Sequence, residues 1–238
     1  MNFLENMKIK IFADGADVSQ MRLLAEQNYI KGLTTNPSLM FQSGIRDYKK
    51  FALETLKFIG EKSISFEVFS DEFSEMKRQA MEISSWGSNV YVKVPVTNTL
   101  GKSSRGVIEF LVDNDIKVNV TAVMTLNQVN ELAKSLKEGV PSYISIFAGR
   151  IADTGINPIG IMKDAIDILS HNNSNELIWA SPRELLNLIE AESAGVDIIT
   201  MSPELLKKLN LLGKDLTEYS KETVDMFYTA GVKAGFSL

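Results

Sequence analysis

The sequence predicts an α/β protein, a single (β/α)8 TIM barrel over residues 1–238 with residues 212–238 as an additional C-terminal helical extension. Two observations lead there. Eight short apolar runs alternate with longer segments of helical spacing from end to end, the pattern of a parallel sheet covered by helices. The length of 238 residues also lies close to the roughly 250 typical of a closed barrel. A doubly wound open sheet is the alternative. The Gly-rich dinucleotide turn expected after the first strand of such a sheet is missing, and Asp14-Gly15-Ala16-Asp17 stands there instead. No linker, low-complexity tract or repeat divides the chain.

The expected strands are, in order, Lys8 to Asp14, Lys31 to Thr35, Ser63 to Val68, Asn89 to Val94, Lys117 to Thr121, Ser142 to Phe147, Glu176 to Ala180 and Asp197 to Thr200. Between them, Val18-Met21-Leu24-Ala25 and Leu126-Val129-Leu132-Ala133 recur at helical spacing. Asp71, ahead of Glu72-Phe73-Ser74-Glu75, is helix N-terminal chemistry. Pro182 and Pro203 fall just inside expected helix starts, where a missing amide hydrogen costs little. In the tail, Leu216, Tyr219, Val224, Phe227 and Tyr228 mark a helix able to pack on its own domain or on a neighbour.

Composition narrows the chemistry. Hydrophobic residues make up 45% and charged residues 23%, as in an ordinary globular protein. The formal net charge is -5 with no basic run, which argues against nucleic acid or an anionic membrane as partner. There are no cysteines, so thiolate nucleophiles, disulfides and zinc–thiolate sites are excluded. The single histidine, His171, sits in a polar stretch that reads as a solvated loop, so neither a histidine-ligated metal nor a Ser-His-Asp triad is expected. The first residues lack the basic flank and apolar core of a signal peptide, and no apolar run approaches the roughly 20 residues needed to cross a bilayer. A cytoplasmic location is the expectation.

Strand parity then sorts the polar residues, because alternate side chains of a barrel strand point inward. In Val90-Tyr91-Val92-Lys93-Val94 the valines share one face, leaving Tyr91 and Lys93 on the other. Asn119 and Thr121 share the inward face of the fifth strand, Ser145 and Phe147 that of the sixth, and Ser65 and Glu67 that of the third. Asp14 ends the first strand, Asn36 follows the second and Ser181 ends the seventh. Seven strand ends thus gather inward-facing polar groups at the C-terminal mouth, where barrels carry their catalytic residues.

Lys93 stands out among them. A lysine at mid-barrel is costly unless paired or deprotonated, because burial disfavours the charged form. A neutral amine attacks carbonyls, which is how Schiff-base lysines work. The plainer alternative is a lysine at an open strand end that snorkels to water.

Four motifs carry a resemblance: Gly32-Leu33-Thr34-Thr35-Asn36-Pro37-Ser38, Val92-Lys93-Val94-Pro95-Val96-Thr97, Asn119-Val120-Thr121 and Phe147-Ala148-Gly149-Arg150-Ile151. In order and spacing the chain resembles the transaldolase family, which includes the fructose-6-phosphate aldolase group, from about Lys8 to the final helix. The resemblance implies a (β/α)8 barrel running class I aldolase chemistry with no metal and no organic cofactor. It implies Lys93 as the Schiff-base lysine and Asp14 as the acid/base carboxylate at the hydroxyl beside the broken carbon–carbon bond. Glu67 and Thr121 match the pair holding a water for proton shuttling. Asn36, Asn119 and Ser145 match residues that bind substrate hydroxyls, and Thr34 and Phe147 belong to the same substrate-binding set. Arg150, Ser181 and Arg183 resemble a phosphate clamp, with a helix beginning after Ser181 adding its positive end. Sugar phosphates are the implied substrates, the pentose phosphate pathway the implied setting, and a homo-oligomer the implied assembly.

Glu67 and Phe147 match the transferring branch; the simple aldolase branch carries glutamine and tyrosine there. Aldolase-type cleavage of fructose 6-phosphate is therefore the second reading, and a non-catalytic sugar-phosphate-binding barrel the third. Residue by residue, humbler roles also exist. Asp14 is a candidate helix cap, Asn36 a turn residue, Arg183 a solvated side chain and Arg150 a rim ion pair, while Ser145, Ser181 and Thr121 are able simply to satisfy backbone groups. Three segments depart from the family pattern: no threonine follows Asp14, Asn98 to Arg105 is long, and Pro182 replaces a common aromatic residue.

Overall fold

Eight parallel strands close into a barrel in chain order, β1 through β8, in the computed structural model, which describes Leu4 and residues 6–237. They are β1 (Lys10–Asp14), β2 (Ile30–Thr34), β3 (Ser63–Glu67), β4 (Val90–Pro95), β5 (Val118–Val123), β6 (Ser142–Ile146), β7 (Asn175–Trp179) and β8 (Ile198–Met201). Every expected strand is present, with ends displaced by at most two residues. The closing pair sets Phe12 of β1 beside Thr200 of β8, which rules out the open sheet.

The covering helices are α1 (Val18–Ala25), α2 (Pro37–Gln42), α3 (Tyr48–Ile59), α4 (Phe73–Ser84), α5 (Arg105–Asp113), α6 (Leu126–Ala133), α7 (Ala148–Asp153), α8 (Pro158–Leu169), α9 (Leu186–Ala194) and α10 (Pro203–Lys207). Their starts are encoded locally. Asp17, Asn36, Asp47 and Asn157 each accept a hydrogen bond from a first-turn amide, and Thr125 with Gln128 forms a full capping box ahead of α6. One stripe of each long helix is buried: Phe51, Ala52, Thr55 and Ile59 on α3, and Val107, Ile108, Leu111 and Val112 on α5. Opposite them lie the outward strand residues Val92, Val94, Val118, Val120, Ile144 and Ile146, all fully buried. Each such side chain contributes about 1.5–3 kcal/mol relative to exposure.

Inside the barrel, below the mouth, an aromatic layer fills the section. Tyr91 and Tyr143 stack with centroids 3.9 Å apart, and Phe12 meets Tyr143 edge-on at 5.7 Å. Ile178, Ala180 and Ile198 complete the cluster. Gly32 is required here, since a Cβ at that position would lie 2.6 Å from the Phe12 ring. The polar groups above therefore rest on a packed floor.

Two expectations about helix starts are corrected. Asp71 does not cap α4: Glu72 holds the cap position without a side-chain bond, and Asp71 instead accepts from Thr99 N and Thr99 Oγ1 at 2.7 and 2.8 Å. Pro182 lies in a loop, and α9 begins only at Leu186. The reason is local. Ser181 takes a left-handed φ of 60°, and the amides of Arg183 and Glu184 turn inward to Asn187 Oδ1 at 2.8 and 3.2 Å. Pro203 does open α10.

The chain divides after Leu206 into two units. The second holds a 3-10 turn (Lys208–Leu211) and helix α11 (Leu216–Ala234), so the helix expected in the tail is present. Asp215 caps α11 by accepting from Thr217 N and Glu218 N, and Gly235 ends it with φ 68°. Leu216, Tyr219, Val224, Phe227 and Tyr228 are exposed along it.

Candidate active site

Register brings the polar strand residues together. Glu67 pairs with Lys93 across β3 and β4, and Lys93 with Asn119 across β4 and β5. Lys93 is buried, with its side chain 8% exposed, and Nζ lies 3.2 Å from Glu67 Oε2 and 3.2 Å from the Thr35 carbonyl oxygen, to which it donates. A snorkelling lysine would reach water, and this one does not. Tyr48 of α3 donates its hydroxyl to the Glu67 carbonyl oxygen at 2.8 Å, which ties the strand end to the helix layer.

Beside the amine lies a buried amide–hydroxyl chain. Ser145 Oγ donates to Asn119 Oδ1 at 2.8 Å, and Asn119 Nδ2 donates to Ser65 Oγ at 2.9 Å. The bonds span β6, β5 and β3 and fix the Asn119 side chain. Thr121 is also buried, and its Oγ1 has no protein partner among the described residues. A buried hydroxyl without a partner is uncommon and calls for a water or a ligand. The next residue, Ala122, adopts φ 61° at a break in the β5–β6 register. Such a bulge beside a site re-aims side chains, and a non-glycine residue at positive φ carries strain of about 1–3 kcal/mol.

Across the mouth, Asp14 Oδ1 accepts from Thr34 Oγ1 at 2.8 Å, and Thr34 Oγ1 lies 2.5 Å from Thr200 Oγ1. Asp14 is not the cap of α1, since Asp17 fills that position. Loss of solvation around the carboxyl pushes the Asp14 pKa above the ordinary carboxylate range, while the nearby Lys93 charge and the Thr34 hydrogen bond pull part of the way back. Strand parity in the sequence places polar groups at seven strand ends. Thr200 extends it to the eighth, because Ile198 belongs to the interior cluster and Thr200 shares its parity.

The remaining candidates sit at the rim. Asn36 caps α2, with Oδ1 accepting from Leu39 N at 3.0 Å, and its residue is half-buried. Phe147 precedes α7, packs against the interior cluster and lies under the exposed Arg150 guanidinium, 5.3 Å from the ring centroid. Arg183 is not on the first turn of a helix, and no helix start lies directly after Ser181. Its guanidinium is half-exposed and pairs with Asp153 through both Nε, at 3.1 Å, and the second nitrogen. The Ser181 carbonyl crosses so close to α7 that a Cβ on Gly149 would lie 1.7 Å from its oxygen. Gly149 thus lets α7, which carries Arg150, and the loop carrying Arg183 come together. His171 is exposed in a turn.

The arrangement offers a buried amine beside a carboxylate, a second carboxylate of raised pKa, and a fixed set of hydroxyl and amide donors. As a whole, the sequence is similar to known proteins. The family model described as Transaldolase/Fructose-6-phosphate aldolase matches residues 11–237. A protein named "Probable transaldolase" from Nitrosopumilus maritimus (strain SCM1) is 33% identical over 203 residues, covering 84% of this chain and 87% of the relative. Another of that name from Brucella anthropi is 32% identical over 216 residues, covering 90% and 94%. Among solved structures, a tryptophan synthase alpha-subunit from Pyrococcus furiosus superimposes with a TM-score of 0.59 at 12% identity over 92% of this chain and 96% of the other. That likeness concerns the barrel fold alone.

Proposed function

Because the chain belongs to the transaldolase/fructose-6-phosphate aldolase family, we propose that it is a transaldolase, moving a dihydroxyacetone unit from a ketose phosphate to an aldose phosphate through an imine on Lys93. The observation that carries this reading is the buried Lys93 amine, 3.2 Å from Glu67. Glu67 takes the ammonium proton, and the freed electron pair of nitrogen adds to the ketose C2 carbonyl. The resulting carbinolamine loses water to give an iminium, with the proton supplied through a water held between Glu67 and the unpartnered Thr121 hydroxyl. Asp14 then removes the proton of the C4 hydroxyl. The C3–C4 bond breaks, C4 becomes an aldehyde, the bonding pair forms a C2=C3 double bond, and the iminium π pair moves onto nitrogen to leave an enamine.

The aldose phosphate departs, and the enamine attacks the aldehyde of an acceptor. Asp14 returns its proton to the new alkoxide, and water hydrolyses the iminium to release ketose and lysine. A carboxyl pushed above the usual carboxylate range suits this two-way duty, since a base works best with a pKa close to the operating pH. Asn119 and Ser145, already locked to each other, are suited to hold the donor hydroxyls without reorganisation. Arg150 and Arg183 are suited to bind the terminal phosphate.

Glu67 and the apolar ring of Phe147 favour transfer over simple cleavage. A phenol at position 147 would help protonate the enamine and release free dihydroxyacetone; a phenyl ring leaves it waiting for an acceptor. The exposed apolar residues of α11 fit self-association. The discriminating assay follows fructose 6-phosphate with and without erythrose 4-phosphate. Sedoheptulose 7-phosphate should form, with little free dihydroxyacetone. Acceptor-independent dihydroxyacetone release at a comparable rate would identify an aldolase, and no turnover of either kind would identify a binding barrel.

A further inference from the structure

We infer that Thr200 is a positioning residue for Asp14, acting through Thr34 to hold the carboxylate by Oδ1 and present Oδ2 to the substrate hydroxyl. The inference rests on the reading of Asp14 as the base of the transfer reaction.

The direction of the hydrogen bonds follows from counting protons. An ionised carboxylate only accepts, so Thr34 spends its single hydroxyl proton on Asp14 Oδ1 at 2.8 Å. The 2.5 Å contact between Thr34 Oγ1 and Thr200 Oγ1 then has one possible donor, Thr200. The chain runs Thr200 to Thr34 to Asp14, across β8, β2 and β1. Barrel closure makes it possible: β1 is flanked by β2 on one side and β8 on the other, with Asp14 beside Thr34 and Phe12 beside Thr200. Both threonines are buried, 2% and 7% exposed, so water does not compete for the bonds.

Oriented hydroxyls in series polarise one another, strengthening the terminal bond to the carboxylate by roughly 10–30% per link. This chain thereby offsets part of the desolvation that acts against the charged form of Asp14. When Asp14 takes the substrate proton on Oδ2, Oδ1 still accepts from Thr34, so the relay keeps its direction. The relay thus accommodates both protonation states without moving heavy atoms. A threonine kept only to satisfy packing would do neither.

The test compares Thr200→Val and Thr200→Ser with the unaltered protein, using two readouts. The first is the pH titration of the Asp14 carboxyl carbon by NMR in unliganded protein, assigned by its loss in Asp14→Asn. The second is kcat and KM for transfer across pH. Loss of a donor to the charged form raises a carboxyl pKa, so Thr200→Val should move the Asp14 midpoint upward by about 0.5 pH unit. Its kcat should fall by about tenfold with KM within about twofold, and the acid limb of the pH profile should move upward with the midpoint. Thr200→Ser, which keeps the hydroxyl, should restore both. Thr200→Cys, of similar size but a weak donor, serves if valine prevents folding, and should shift the midpoint in the same direction. An unchanged midpoint in the valine or cysteine variant, or a serine variant that behaves like valine, overturns the inference. An unaltered protein that shows the coupled titration but no transfer would refute the transaldolase reading and leave the hydroxyl relay standing.

Discussion

Glu67 Oε2 lies 3.2 Å from Lys93 Nζ, and the two residues are register partners on adjacent strands. Both side chains are largely withdrawn from water, at 17% and 8% exposed. A pair so placed costs desolvation that its mutual attraction repays only in part, so the fold gains little from keeping it. In the proposed mechanism its value lies in chemistry: the carboxylate holds the amine in place and takes up its proton. Lys93→Met, which fills similar volume, should abolish transfer by at least about a thousandfold. Its far-UV circular dichroism should match that of the unaltered protein. Retained turnover would remove Lys93 from the mechanism.

Asp14 carries an opposing cost. Its folded-state pKa is raised by burial, so the unfolded chain releases this proton at lower pH than the folded one. The stability linked to protonated Asp14 is complete below the unfolded carboxylate pKa, and it is lost as pH rises through the folded value. Asp14→Asn keeps an acceptor for Thr34 and removes the charge. It should therefore raise the melting temperature at pH 7, show no such gain below about pH 4, and lose transfer activity. Thermal melts at both pH values check the sign.

The close crossing at Gly149 makes a structural prediction with a functional echo. A methyl group there would overlap the Ser181 carbonyl, which lies 1.7 Å from the Cβ position. Gly149→Ala should destabilise by about 1–3 kcal/mol in urea unfolding. It should also raise KM for fructose 6-phosphate, because α7, bearing Arg150, and the loop bearing Arg183 must separate. A variant of unaltered stability and KM would show that the crossing has no such consequence.

Arg183 is paired with Asp153, which a phosphate bound there as proposed would have to displace. Both side chains are about half-exposed, so the pair contributes roughly 0–1 kcal/mol. Asp153→Asn should free the guanidinium and lower KM for phosphorylated donors by up to about fivefold, while Arg183→Ala should raise it. Dihydroxyacetone transfer from unphosphorylated fructose, measured in parallel, should respond to neither change.

Much of the barrel was legible because alternation is forced on strands that face helices on one side and a small interior on the other. Val90, Val92 and Val94 mark the outward face of β4, and that alone puts Lys93 inside. The same parity gives Asn119, Thr121 and Ser145. Contacts that depend on closure or on distant loops were not legible. Thr200 meets Thr34 only because β8 returns beside β1. Asp153, at the end of α7, reaches Arg183 on a distant loop, and Asp71 is drawn from a helix start to Thr99 on another loop. Pro182 matched a helix-start pattern, yet Ser181 turns left-handed and Asn187 claims the following amides.

The most direct measurement is borohydride reduction in the presence of fructose 6-phosphate, followed by peptide mass analysis. The account predicts a reduced dihydroxyacetone-sized adduct on the peptide containing Lys93, absent from Lys93→Met and lost when erythrose 4-phosphate is added in excess before reduction. An adduct on another lysine, or none from protein that is turning over, would contradict it.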